Sequence, residues 1–381
     1  MRIKIGALRR FGGNDILPNA MNGSKDRSVK LADAEFLRRA AKLAEKGLGH
    51  TRPNPAVGAV IVKRGKIIGE GWHKKAGGDH AEVAAIKSAA RRGNAAGGAT
   101  IYVTLEPCSK PGRVGACTDA IAAAGITRVV YAVPDPNPTN RGKAKRALAK
   151  HGIACELFKG DKEVTAKCRS LIAAFRKHVL TGLPYVTVKL AMSMDGKICD
   201  NWGGSNWITC EASRDRTNIL RSSVDAVMVG AETVRKDNPS LLARVYPNKD
   251  LVRVVISKSG RLPKKAQVLT DGKNPTLVFD DAKKALKELG KMGVMSVLCE
   301  GGLKLATSLA EAGLVDEWIT VMAPVIIGTR RIDRALRGTT FYNNCFFASG
   351  DSFYNAGYTD FSTWPGEGTE IKFDANGNSR S

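Results

Sequence analysis

The feature that most constrains this chain is a rhythm that runs along it twice. Short apolar runs alternate with longer stretches of helical apolar spacing, and Thr181-Gly182-Leu183-Pro184 punctuates the passage from one series to the next. Strand and helix alternation of this kind specifies α/β architecture, with a largely parallel sheet covered by helices on both faces. In the first pass, a helix over Leu31–Lys46 precedes two runs, Ala56–Lys63 and Ile67–Gly71. They flank Arg64-Gly65 and read as a hairpin. Then come helix His80–Arg92, strand Ala99–Leu105, helix Thr118–Ala124, strand Arg128–Val133, helix Gly142–Lys150, strand Ile153–Phe158 and helix Val164–Leu180. The second pass opens with a strand at Tyr185–Ala191 and alternates until Glu317–Val321.

These patterns divide the chain into residues 31–180 and 184–340, each an α/β domain. Residues 1–30 are basic but lack the apolar segment of a secretory signal, and are expected to be a leader outside the folded part, an organelle-targeting role staying open. The last 41 residues carry nine of the 18 Phe and Tyr, two basic and five acidic residues, and a loop-like pattern. They form a divergent tail of unassigned role.

Composition excludes several classes. At 43% hydrophobic and 25% charged the chain is ordinary globular material, and no apolar run approaches the roughly 18 to 20 residues of a membrane span. Eight cysteines in 381 residues are too sparse for a disulfide scaffold and suit a reducing, cytoplasmic setting. A net charge of +24 points to anionic partners without choosing among phosphorylated metabolites, nucleic acid and acidic membranes.

The chemistry concentrates in His80-Ala81-Glu82, Glu106-Pro107-Cys108 and Cys117. One imidazole and two thiolates form a ligand set that zinc prefers, and three protein ligands leave a fourth position for a catalytic water. Glu82, two residues from His80, is then placed to move a proton. Each piece has a plainer reading. Asp79 and Glu82 have capping-box spacing, and two cysteines are often buried thiols. The order H-x-E, P-C, C is nonetheless the signature of zinc deaminases acting on nucleobases.

The spacing of eight residues between the cysteines is wider than usual for them. Together with Arg52-Pro53-Asn54-Pro55-Ala56-Val57-Gly58, Thr104-Leu105-Glu106-Pro107-Cys108-Ser109 and Asp135-Pro136-Asn137-Pro138, it closely resembles the deaminase half of the bifunctional riboflavin-biosynthesis deaminase-reductase family. The second domain lacks G-x-G-x-x-G, yet Lys189-Leu190-Ala191-Met192-Ser193-Met194-Asp195-Gly196-Lys197, Ser205-Asn206-Trp207-Ile208-Thr209 and Gly230-Ala231-Glu232-Thr233-Val234 resemble the reductase half. So do Asp237-Asn238-Pro239-Ser240-Leu241 with Arg244, and Cys299-Glu300-Gly301-Gly302.

The resemblance implies a cytidine-deaminase-like three-layer α/β/α domain followed by a dihydrofolate-reductase-like α/β domain. It implies one zinc per chain on His80, Cys108 and Cys117, with Glu82 as proton shuttle, removing the 2-amino group of a diaminopyrimidinone that bears a ribosylamino 5′-phosphate. Asn54, Asp135 and Asn137 fall on the pyrimidine pocket. NADPH then reduces ribosyl to ribityl. Ala191, Trp207, Thr233, Asp237 and Gly302, Leu303, Lys304, Leu305, Ala306, Thr307 and Ser308 fall on cofactor positions, and Ser205, Arg221, Leu241, Arg244 and Glu300 on substrate positions. Asp237 is the candidate for assisting proton transfer to the reduced sugar.

The sequence departs from the family after Ser109, where Lys110-Pro111 stand in place of the usual histidine or aromatic residues. The partner expected is a phosphorylated pyrimidine, with a homo-oligomer and neither nucleic acid nor membrane. A zinc deaminase acting on RNA or DNA and a deaminase with an impaired reductase half are the competing readings.

Overall fold

In the computed structural model, the described residues are 20–110, 115–199, 208–246, 249–323, 325 and 327, with short backbone segments after residue 340; side chains are described from residue 31 onward. The first helix, α1 (Ala20–Glu45), reaches back into the segment expected to be a leader. Strands β1 (Gly58–Lys63) and β2 (Lys66–Trp72) meet at Arg64-Gly65, both at positive φ, which is the backbone a two-residue hairpin turn demands.

There follow α2 (Ala81–Arg91), β3 (Thr100–Val103), α3 (Cys117–Ala123), β4 (Arg128–Tyr131), α4 (Lys143–Ala149) and β5 (Ala154–Leu157). The sheet order is β2-β1-β3-β4-β5. β3, β4 and β5 are parallel, whereas β1 runs antiparallel to both neighbours. The expected hairpin makes β1 and β2 antiparallel, since a two-residue connection joins only antiparallel strands, and β1 also pairs antiparallel with β3, so this sheet is mixed.

Glycines bring the helices close. Gly69 and Gly71 share one face of β2, and a Cβ on Gly71 would stand 2.3 Å from the Ala85 backbone nitrogen. Across from them Ala81, Ala85 and Ala89, spaced four apart on α2, are 0%, 0% and 1% exposed. Small residue against small residue sets the height of α2 over the sheet, and with it the position of His80 at the helix start. On the other face Gly58 receives α1 at Ala40.

The run read as one helix from Val164 is two, α5 (Lys162–Leu171) and α6 (Ala173–Thr181), broken at Ile172. Asp161 caps α5 by accepting from the Glu163 and Val164 amides. Gly182 closes α6 in the left-handed conformation.

The second unit comprises β6 (Tyr185–Ser193), α7 (Glu211–Ser223), β7 (Ala226–Gly230), α8 (Ala231–Asp237), β8 (Val252–Ile256), α9 (Gln267–Thr270), β9 (Thr276–Phe279), α10 (Ala282–Lys291), β10 (Ser296–Cys299), α11 (Leu303–Glu311) and β11 (Glu317–Ala323). Two strands of the tail follow as β12 (Phe341–Tyr342) and β13 (Phe346–Ser349). The sheet order is β13-β11-β6-β10-β7-β8-β9, parallel from β11 to β9, with β13 added antiparallel at the edge. The tail read as loop-like therefore extends this sheet. Its remaining strands, β14 (Glu370–Phe373) and β15 (Ser379–Arg380), pair with β12 in a small separate sheet.

Each main sheet has its own core, one around Val60, Ile61, Ile101 and Val129, the other around Val188, Met228, Val254 and Val297. Between the units Arg52 pairs with Asp250 at 2.5 Å, Lys177 pairs with Asp316, and the His50 and Tyr246 rings meet edge to face. No helix among the described residues is long and apolar enough to cross a membrane.

Candidate active sites at two sheet edges

His80 is the N-cap of α2, and Cys117 is the first residue of α3. Cys108 lies on the loop after β3. Their ligand atoms all lie within 4.8 Å of one another, with His80 Nδ1 3.2 Å from Cys117 Sγ and the two sulfurs 3.3 Å apart. The capping-box reading of Asp79 and Glu82 is not realised. Asp79 instead receives Lys87 on both carboxylate oxygens at 2.8 Å, while His80 holds the cap position without a side-chain cap bond. Soft sulfur and borderline nitrogen converging from three sides fit zinc and leave one side open.

That open side faces a cavity of about 220 Å³ lined by Asn54, His73, His80, Glu82, Cys108, Asp135, Asn137 and Phe175, among others. Glu82 is 4% exposed, and burial followed by the nearby Cys108 sulfur pushes its carboxyl up to about 7. A carboxyl poised there exchanges protons at neutral pH. The Cys108 thiol is pulled down to about 4, first by the hydrogen bond from Cys117 and also by His80.

The cavity walls are held by a buried polar lattice. Glu106, 3% exposed, accepts the Asp135 and Gly142 amides on Oε2 at 3.1 Å and the Ala144 amide on Oε1 at 3.2 Å. Asp135 is itself 8% exposed, and its two oxygens accept the Asn137 amide and the Asn140 side-chain amide, each at 2.8 Å. Asn140 in turn accepts from the Ser109 backbone at 2.8 Å. Asp135 thus ties the loop after β4 to the Cys108 loop. Asn137 spends its side-chain oxygen on Thr139, so its remaining offering to the cavity is an amide donor. Asn54 donates to His73 Nε2 at 3.0 Å, while His73 Nδ1 meets the Asp79 carbonyl at 2.9 Å.

The second constellation gathers at the carboxyl edge of the parallel sheet. Cys299 is level with Val188 on one neighbour and Met228 on the other, so Glu300 emerges beside Lys189. Arg221 from α7 reaches Glu300 with two nearly parallel bonds of 2.8 and 2.9 Å and gives a third, 3.1 Å, to the Leu242 carbonyl. Burial opposes the charge of both cations. It lowers Lys189, whereas at Arg221 the Glu300 carboxylate outweighs it and the guanidinium rises. Gly302 caps α11, and a side-chain carbon placed on it would meet nothing within 4 Å, so the helix start is open to an anionic group.

Two family models match in tandem. Residues 31–133 match the cytidine and deoxycytidylate deaminase zinc-binding region, and residues 184–345 match the RibD C-terminal domain. The riboflavin biosynthesis protein RibD of Aquifex aeolicus is 39% identical over 79% of this chain and 89% of its own length. The Escherichia coli protein of that name is 37% identical over 78% and 89%. A solved Thermotoga maritima diaminohydroxyphosphoribosylaminopyrimidine deaminase/5-amino-6-(5-phosphoribosylamino)uracil reductase superposes with a TM-score of 0.73 at 36% identity, covering 79% of this chain and 89% of the other. The chain belongs to the RibD family. It is a bifunctional deaminase and reductase of riboflavin biosynthesis, using zinc in the first domain and NADPH in the second.

Within this RibD chain the structure brings His80, Glu82, Cys108, Asn54, Asp135 and Asn137 to one cavity, with Cys117 beside His80 and Cys108. It brings Arg221 and Glu300 together at the second edge. Leu241 is buried with φ +51°, while Arg244 and Asp237 are exposed, Asp237 ending α8 and Thr233 lying within it. Leu305 and Ala306 face the core, so contact with a dinucleotide falls to Gly302, Leu303, Lys304, Thr307 and Ser308 or to backbone. Ala191 sits near the end of β6. Ser205, Trp207 and Pro111 lie outside the described residues; Lys110 is exposed.

Sequence reasoning missed His73, Asn140, Phe175 and a role for Lys189. A lysine inside the apolar strand Val186–Leu190 was the one available signal, since a buried ammonium needs a partner. Phe175 comes from α6, remote in sequence from the zinc motif.

Proposed function

We propose that the 220 Å³ cavity deaminates a diaminopyrimidinone carrying a ribosylamino 5′-phosphate, and that the Arg221–Glu300 edge reduces its sugar to ribityl with NADPH. The observation that carries this reading is the convergence of His80, Cys108 and Cys117 beside a buried Glu82. When bound by those three side chains, zinc supplies a water ionised at neutral pH. Glu82 holds and moves the protons of the exchange, taking one up and delivering one to the departing amino nitrogen. Asn137 presents its amide donors to the ring, and Asn54, pinned by His73, fixes the opposite edge. Asp135 acts through this lattice, positioning rather than touching the ring.

In the second domain, Arg221, Arg244, Leu241 and Ser205 hold the phosphorylated sugar and Glu300 orients Arg221. The start of α11 with Ala191, Thr233 and Trp207 holds NADPH, which carries the hydride. Asp237 assists the accompanying proton transfer. Homo-oligomerisation and a cytoplasmic setting complete the reading; sizing of the purified protein and cell fractionation test them.

The deciding experiment is a coupled assay of ammonia release and NADPH oxidation with parent and Glu82→Ala. The variant is expected to keep about one zinc per chain and lose deamination by about 10²- to 10⁴-fold, while still reducing supplied deaminated intermediate. Undiminished ammonia release by Glu82→Ala refutes the role.

A further inference from the structure

A second cavity among the described residues lies away from both sites. It is a cleft of about 490 Å³ between the two units, lined by Gly49, His50, Arg52, Lys75, Ala76, Tyr246, Lys249 and Asp250. Four of these are basic and one is acidic. The acidic one, Asp250, is already matched by Arg52 at 2.5 Å.

Lys249 is the unusual member. It is 6% exposed, and among the described residues no carboxylate lies within ion-pair distance of it. Its ammonium donates instead to the Ser222 and Val224 carbonyls. Gly49, at φ +72°, leaves room for it: a Cβ there would fall 2.2 Å from Lys249 Nζ. Two carbonyls satisfy two of three donors but do not neutralise the charge, and a buried cation without an anion is costly. Burial accordingly pulls Lys249 down to about 8, with Arg52 lowering it further against Asp225 and Asp250. His50 is lowered by burial and by Lys249.

The cleft borrows two loops from the zinc cavity. Arg52 and Lys75 lie two residues from Asn54 and His73, which line that cavity. The same loops therefore present ring-binding groups on one side and cations on the other. The Tyr246 ring, which meets His50 edge to face at 4.9 Å, forms an apolar wall beside the cations.

We infer that this interdomain cleft is an anion site for a small phosphate monoester, its phosphate facing Lys75, His50 and Lys249 and its carbon skeleton lying along Tyr246. The inference stands on charge and shape, and does not depend on the chemistry proposed for either active site.

The test is calorimetric titration of the full-length, zinc-loaded chain with ribose 5-phosphate, with ribose as the uncharged control, beside Lys75→Glu, His50→Gln and Arg244→Ala. The parent is expected to bind ribose 5-phosphate but not ribose. Lys75→Glu and His50→Gln should each weaken one class of site about tenfold, the loss of one charge-assisted contact, at unchanged melting temperature. At pH 8 binding should take up protons, read from titrations in buffers of different ionisation heat, because a dianion favours the charged forms of Lys249 and His50. Identical isotherms for parent, Lys75→Glu and His50→Gln, or loss confined to Arg244→Ala, would overturn it. Because binding is read without turnover, failure of the deaminase or reductase assignment leaves this result interpretable.

Discussion

Glu106→Gln isolates the lattice that shapes the zinc cavity. The carboxylate receives two backbone amides on Oε2 and one on Oε1, all within 3.2 Å and in a residue 3% exposed. Glutamine can keep its oxygen only on one side. The better choice serves Asp135 and Gly142, which turns its NH2 group against the Ala144 N–H. One hydrogen bond to a charged acceptor is lost, two are demoted to neutral ones, and two donors face each other in a dry site. Together this costs about 3 kcal/mol, within a range of about 2 to 5. For a domain of this size, with a urea dependence of about 2 kcal/mol per molar, the midpoint falls by about 1.5 M, within a range of about 1 to 2.5 M. Zinc release followed with a chromogenic chelator during urea unfolding reports on this domain alone, which matters because a two-unit chain need not unfold in one step. Deamination should weaken in parallel, since the Asp135 amide is left with a weaker, neutral acceptor and the Ala144 amide with none, while reduction of supplied intermediate persists. A midpoint shift below about 0.2 M would refute the argument that Glu106 works as a charged acceptor.

Gly71→Ala should displace α2, because the new carbon would meet the Ala85 nitrogen at 2.3 Å; a cost of about 1 to 3 kcal/mol and reduced zinc occupancy by metal analysis are expected. Arg221→Met leaves Glu300, partly buried, with Lys189 as its remaining cation, so urea denaturation should register a loss of about 1 to 3 kcal/mol, part of which returns on adding Glu300→Gln. Lys249 binds fewer protons folded than unfolded between about 8 and its ordinary 10.5, so its destabilising effect is full below 8 and relieved as pH rises through that window. Parent stability should therefore climb from pH 8 toward 10.5 by an increment, about 3 kcal/mol at most, that Lys249→Met lacks; equal slopes would contradict a buried ammonium.

Much of the zinc site was legible because its signals are local. His80 and Glu82 share one helix start, and Cys108 and Cys117 flank one loop, so spacing and ligand chemistry narrow the metal without knowledge of the rest. The Arg64-Gly65 hairpin was legible for the same reason, since two residues settle their own turn. The helix through Ile172 misled because apolar spacing continues across the break. Strand β9 and helix α8 went unread, their segments being too short to show a period.

What the sequence alone determined is the alternation of strands and helices in two series and the grouping of His80, Cys108 and Cys117 as candidate ligands. What only the tertiary structure decided is which chemistry each remaining side chain has left to offer. Asp135 does line the cavity, and its two oxygens already accept from Asn137 and Asn140. Leu305 and Ala306 looked like cofactor contacts and face the core. Phe175 joined the zinc cavity from a distant segment. Spacing along the chain governs which residues share a turn or a strand face. Strand order and register govern which loops meet at a sheet edge, and those depend on contacts between residues far apart in sequence, where no local pattern records them.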